Sequence, residues 1–127
     1  MALVLDSGAV TYLAQRTRTA VALISALRAR GLWPALIPSA VLIECLTGDA
    51  RRDARTNRLL KTCEIVETLP SEVARRAAWL RTKARRGSAI DALVVATAEP
   101  GGAVLTGDPS DLVAIADHSH EVTVHVL

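Results

Sequence analysis

Short apolar runs alternate with amphipathic stretches along the chain, and the alternation predicts strand and helix in turn. Leu3 to Asp6 reads as a buried strand, and Ser7 to Ala14 opens a short helix with no Gly/Pro-rich linker between them. From Thr19 to Arg30 the apolar residues Val21, Leu23, Ile24 and Leu27 recur near helical spacing, with Arg28 and Arg30 in the last turn and Gly31 as a stop. Trp33 to Ile37 predicts a second strand. Pro38 and Ser39 start a helix that carries Val41, Leu42, Cys45 and Leu46 inward and ends at Gly48. Ala50 to Thr62 predicts an Arg-rich amphipathic helix, and Glu64 to Leu69 a third strand. Ser71 to Arg86 is bracketed as a helix by Pro70 and Gly87, while Ser88 to Ala98 is so apolar that it predicts a buried helix. Gly101 and Gly102 turn the chain into a fourth strand, Ala103 to Thr106. A helix over Pro109 to Ala116 and an alternating strand over Glu121 to Val126 complete it. With no repeat and no low-complexity tract, residues 1–127 predict a single three-layer α/β domain on a parallel sheet.

Four acids interrupt this apolar pattern where a parallel sheet would gather them. Asp6 ends ALVLD, Glu44 lies in SAVLIECL, Asp91 in SAIDALVVATA, and Asp108 follows AVLTG. Right-handed crossovers place strands two and three on one side of strand one, and a reversal of order sets strand four on the other. Ligands of open α/β sheets bind beyond the carboxyl ends of strands at such a reversal, where Asp6 and Asp108 stand. Glu44 can lean into the same crevice, Asp91 sits in the first turn of the helix before strand four, and Asp111 lies one helical turn past Asp108. No Lys or Arg is within three residues of the four acids. Carboxylates losing hydration among Leu, Val and Ile persist as anions only with a cation or good donors nearby, and a set of hard oxygen ligands suggests Mg²⁺ or Mn²⁺. Metal-dependent phosphoryl transfer is the chemistry such a set serves.

Each acid also has an ordinary structural use. Asp6 can cap the first helix, Ser88-x-x-Asp91 fits a capping box, and Asp108-Pro109-Ser110-Asp111 fits an N-cap followed by proline and a first-turn acid. Glu44 is the exception, since mid-helix among Ile43, Cys45 and Leu46 is a poor place for a surface charge. Ser7 and Thr106 adjoin the acids and can orient a ligand or water, or satisfy backbone groups instead. His118 and His120 stand in a loop leading to a strand, a natural home for exposed histidines rather than metal ligands.

Composition limits what surrounds this cluster. Phe is absent, and Tyr12, Trp33 and Trp79 are the only aromatics, so the core must be aliphatic. RNA readers that stack bases on several exposed rings are excluded, which leaves phosphate contacts as the means of holding any nucleic acid. The net charge is only +2, yet Arg51, Arg52, Arg55 and Arg58, and then Arg75, Arg76, Arg81, Lys83, Arg85 and Arg86, form basic clusters that suit either phosphates or a solvated helix face. Cys45 and Cys63 lack Cys-x-x-Cys spacing, MALVLDS has no basic lead-in to an apolar core, and no apolar run approaches the roughly 18 residues that span a bilayer. A reducing cytoplasm and no membrane are the expectation.

VLDSGAV, PSAVLIECL, GSAIDALVVATA and VLTGDPSDL together resemble the PIN-domain ribonucleases, in the form of the small VapC-type toxins of bacterial toxin–antitoxin pairs. The likeness covers nearly the whole chain. It implies a five-stranded parallel sheet and Mg²⁺- or Mn²⁺-dependent cleavage of RNA phosphodiester bonds. Asp6, Glu44, Asp91 and Asp108 match the family's catalytic acids, Asp111 an additional acid of some members, and Ser7 and Thr106 its hydroxyl positions. Gly8 departs from the polar residue frequent there. On this likeness Asp6, Asp91 and Asp108 are metal ligands, and Glu44 is a ligand, directly or through water, or a water-orienting base. Asp111 acts behind the ligands or on a second metal. The partners implied are an RNA substrate and a cognate antitoxin protein, in a homodimer or a toxin–antitoxin hetero-oligomer.

A phosphorelay receiver domain is the nearest rival of another class. It needs an acidic pair after strand one, an Asp after strand three and a Lys after the last strand, whereas Ser7-Gly8 and Thr68-Leu69 occupy the first two places and both lysines precede residue 84. Haloacid-type phosphatases need a second Asp where Gly8 stands. A catalytically silent interaction module is the remaining alternative, and it gives no reason to keep costly anions together.

Overall fold

The structure is a computed structural model that describes all residues, Met1–Leu127. Its elements in order are β1 (Leu3–Leu5), α1 (Ser7–Ala14), α2 (Arg18–Ala29), β2 (Leu36–Pro38), a 3-10 turn (Ser39–Val41), α3 (Leu42–Cys45), α4 (Ala54–Leu60), β3 (Glu64–Val66), α5 (Ser71–Ala84), α6 (Ala89–Ala98), β4 (Ala103–Thr106), α7 (Pro109–Ala116) and β5 (Thr123–Val126). The five strands form one sheet in the order β3-β2-β1-β4-β5, and every neighbouring pair is parallel. Parallel sheets need helices on both faces. Here α1 packs with α2, α3 and α4, and α5 packs with α6 and α7, so the sheet lies between two helical layers.

Burial follows sheet position. Every residue of the central strands β1 and β4 is buried, whereas the edge strands β3 and β5 are mostly exposed or half-buried. One aliphatic cluster joins Leu5, Leu13, Ile37, Leu80, Leu112 and Ile115 from both faces, so a single core supports the switch point between β1 and β4. No helix is long and apolar enough to cross a membrane.

Several boundaries differ from the sequence pattern, each for a local reason. β2 starts at Leu36 rather than Trp33, because Pro34 has no N–H to give a neighbouring strand. The helix expected from Pro38 to Gly48 is a 3-10 turn and then four residues, Leu42–Cys45. Ala50 to Thr62 becomes the shorter α4, because Asp49 Oδ1 accepts from the N–H groups of Arg51 and Arg52 at 2.9 and 3.0 Å and holds the start as a turn. α5 stops at Ala84, where Arg85 turns left-handed at φ 58°. β3 ends at Val66 opposite Pro38, the last residue of its partner strand, and β5 begins only after Glu121, which is also left-handed.

Candidate active site

A polar cleft of about 360 Å³ opens at the carboxyl edge of the sheet, lined by Asp6, Ser7, Glu44, Asp91, Asp108 and Asp111 among others. No Lys or Arg lines it. β1 delivers Asp6 by ending at Leu5, and β4 delivers Asp108 by ending at Thr106, so the two acids face each other across the switch point. α3 brings Glu44 from the β2 side, and the first turn of α6 brings Asp91.

The Asp6 carboxylate is held from both sides. Its Oδ1 accepts the Ala9 N–H at 2.8 Å, which caps α1, and its Oδ2 accepts the Thr106 hydroxyl. Thr106 is fully buried and does not line the cleft; it also accepts the Asp108 N–H at 3.0 Å, so one hydroxyl fixes the ends of both central strands. Burial pushes the Asp6 carboxyl above its ordinary range, hydrogen bonds from Thr106 and Ala9 oppose the rise, and the charges of Asp91 and Asp108 add to it. Those two acids therefore lie close enough to repel Asp6.

The other acids divide by how free they are. Asp91 closes the capping box: its Oδ2 accepts the Ser88 N–H at 3.0 Å while Ser88 Oγ accepts the Asp91 N–H. Asp108 holds the N-cap position of α7, yet its side chain makes no capping hydrogen bond and stays exposed. Capping accounts for Asp91 and leaves Asp108 without a structural task. Glu44 is exposed, as is its neighbour Ile43 at 78%, so the expectation of a charge pressed into an apolar helix face is wrong. The shortness of α3 is the reason, since four residues have no far side to bury. Asp111 meets a cation from outside its own segment, with Arg86 Nε 2.7 Å from its Oδ1.

The donor set is entirely hard oxygen, which fits Mg²⁺ or Mn²⁺ and not a soft metal. No group of three acidic, histidine or cysteine side chains converges tightly enough to hold an ion as it stands. Ser7 lines the cleft at the start of α1. A Cβ at Gly8 would sit 3.6 Å from Asp6 Oδ1, ordinary contact, so the glycine does not distort the placement of Asp6.

Sequence reasoning missed Asp53, which is 5% exposed. Its carboxylate accepts from Thr47 N at 2.9 Å, Thr47 Oγ1 at 2.9 Å and Gly48 N at 2.8 Å, tying the turn after α3 to the start of α4. Thr47-Gly48 followed by acids signals an Asx-type turn, and that was the available cue.

A parallel sheet whose order reverses at β1 and β4, with an anionic cleft at the reversal, defines an α/β domain with its site at the switch point. Residues 3–117 match the PIN domain family model, and the chain belongs to that family. PIN domains are generally nucleases, and the chain carries this nuclease-type fold. Curated proteins give no match.

Proposed function

We propose that the chain is a divalent-metal-dependent endoribonuclease that acts as the toxin of a toxin–antitoxin pair. The observation that carries the nuclease part is the cleft itself, in which Asp6, Glu44, Asp91 and Asp108 meet with no lining cation to neutralise them. A bound Mg²⁺ or Mn²⁺ supplies an activated water and the positive charge that offsets the anion developing on phosphorus. Asp6 and Asp91 are preset ligands, since hydrogen bonds to both oxygens of Asp6 and to one oxygen of Asp91 fix their directions. Exposed Asp108 and Glu44 are free to swing inward, Asp108 as a ligand and Glu44 as a ligand, directly or through water, or as a base orienting the attacking water. Asp111 stands behind them or takes a second ion. Ser7 offers a hydroxyl to ligand or water, and Thr106 works from beneath by aiming Asp6. Toxin action in the cytoplasm and neutralisation by an antitoxin follow from the motif resemblance, and they are the part a partner screen must test.

The test is purified, antitoxin-free protein on total RNA with Mg²⁺, Mn²⁺ or EDTA, mapping new ends. New ends should form with metal only. Asp6→Asn and Asp91→Asn should each lower cleavage by ~100-fold, equivalent to about 2.7 kcal/mol of transition-state stabilisation. Folded Asn variants that cut as fast as wild type would sink the metallonuclease reading.

A further inference from the structure

A second concavity, about 310 Å³ and without a single apolar residue, lies at the end of α5 and is lined by Arg81, Thr82, Arg85, Arg86 and Gly87. It adjoins the acidic cleft directly: Gly87 precedes Ser88, a cleft residue, and Arg86 reaches the cleft acid Asp111. From Arg75 to Gly87 the chain carries six basic residues and no acid, namely Arg75, Arg76, Arg81, Lys83, Arg85 and Arg86. The negative end of a helix attracts cations, and this accounts for Arg81 and Lys83 in the last turn of α5. It does not account for Arg85 and Arg86, which lie beyond the helix.

Two backbone features hold these arginines in place at a cost. Arg85 adopts the left-handed conformation, φ 58° and ψ 25°, at the helix-ending position that glycine normally fills. Gly87 follows at φ 90°, and a Cβ there would come within 2.6 Å of Ile115 Cδ1, so only glycine lets the chain lie flat on α7 beside Asp111. Arg86 is oriented by that approach, its Nε donating to Asp111 and its Nη2 to Ser110 Oγ at 2.9 Å. Guanidinium has five N–H donors, so those on Nη1 stay open. Arg81 is turned toward the same wall by its Nε donating to Gly87 O at 3.3 Å.

We propose that Arg81, Arg85 and Arg86 form a phosphate subsite that holds the RNA backbone beside the scissile phosphate. The subsite supplies the attraction that the acidic cleft, repelling a polyanion, cannot. It rests on the nuclease reading above, and it names the residues that deliver the substrate. Asp111 then serves as a positioning residue for Arg86.

Binding of a fluorescent single-stranded RNA in EDTA, in the Asp91→Asn background to prevent cutting, reads the subsite directly. The triple variant Arg81→Ala/Arg85→Ala/Arg86→Ala is compared with Arg18→Ala/Arg28→Ala/Arg30→Ala, which loses the same charge from α2 and the residue that ends it. Each phosphate contact to a single strand contributes about 0.7 to the slope of log affinity against log salt, so the α5 triple should flatten it by about 2 and the α2 triple should not. Arg85→Gly separates binding from folding, since it should raise the melting temperature by relieving the left-handed arginine while weakening RNA binding. Ser110→Ala, which removes the Nη2 contact that orients Arg86 without changing any charge, should weaken binding and add nothing to Arg86→Ala in the double variant. Equal slopes for the two triples, with wild type binding and cutting RNA, overturn the subsite and leave the nuclease reading intact. A wild type that neither binds nor cuts overturns both.

Discussion

Asp53 shows how much a single unnoticed side chain decides. Its carboxyl is held below the usual carboxylate range, first by the Thr47 N–H against the opposing effect of burial, then by the Thr47 hydroxyl, the Gly48 N–H and the Arg52 charge. A depressed folded-state value means that its contribution is complete above the unfolded Asp pKa of about 3.9 and is lost as pH falls through the folded value. Asp53→Asn keeps the shape but turns an amide N–H₂ toward donors that need an acceptor. The variant should melt below wild type at neutral pH, and the gap should narrow in scans taken progressively below pH 4. A gap that stays constant with pH would show that shape, not charge, holds the turn. The same scale explains why Glu44 was misjudged: its exposure depends on where α3 stops, and the Thr47–Asp53 bonds that shape the following turn are not visible in a hydrophobic pattern.

Sequence pattern located three elements to the residue: α1, which starts directly after its Asp6 cap, and β4 and α7, which combine an unbroken apolar run or a proline start with a glycine-marked turn. The stretch from Pro38 to Thr62 was misread because side-chain-to-backbone bonds from Asp49 and Asp53 displace helical ones. α5 raises a different matter, since its arginines do not share one role. Arg76 grips Glu99 with two hydrogen bonds of 2.8 Å and stacks 4.7 Å from the Trp79 ring centroid, while Glu99 also accepts the His120 N–H at 2.8 Å. Three elements are pinned at once: α5, the end of α6 and the loop before β5. Treating Arg76 as a phosphate contact is therefore incorrect, because its fork is already committed. Arg76→Ala strands Glu99, whose side chain is only 9% exposed, and should cost about 2 kcal/mol in urea denaturation. Its neighbour Arg75 is exposed and unpaired by any salt bridge, so Arg75→Ala should change stability by less than about 0.5 kcal/mol. Similar losses for the two would remove the distinction.

At the scale of the whole molecule, the order β3-β2-β1-β4-β5 explains why acids from four distant segments share a cleft. Hydrophobic runs were enough to anticipate β2 and β3 on one side of β1 and β4 on the other, because right-handed crossovers leave few alternatives once a reversal is placed between β1 and β4, whereas the place of β5 beyond β4 was not anticipated. The spacing of the carboxylates was not legible, since it depends on rotamers and on the Thr106 hydroxyl that reaches across both strands. The fold thus places like charges together at its switch point, and their repulsion should be relieved by whatever cation binds there. An ion that binds the folded chain alone stabilises it by mass action, about 2.7 kcal/mol at a concentration of 100 times its Kd. For a domain of this size that is a rise in Tm of roughly 10 °C. Millimolar Mn²⁺ added to metal-free wild type should produce a rise of that order, and Asp91→Asn or Asp108→Asn should blunt it while starting from an equal or higher Tm. An unshifted wild type under saturating Mn²⁺ would remove the metal site. Equal shifts in wild type and both Asn variants would place the ion elsewhere on the surface, away from the cleft that β1 and β4 build.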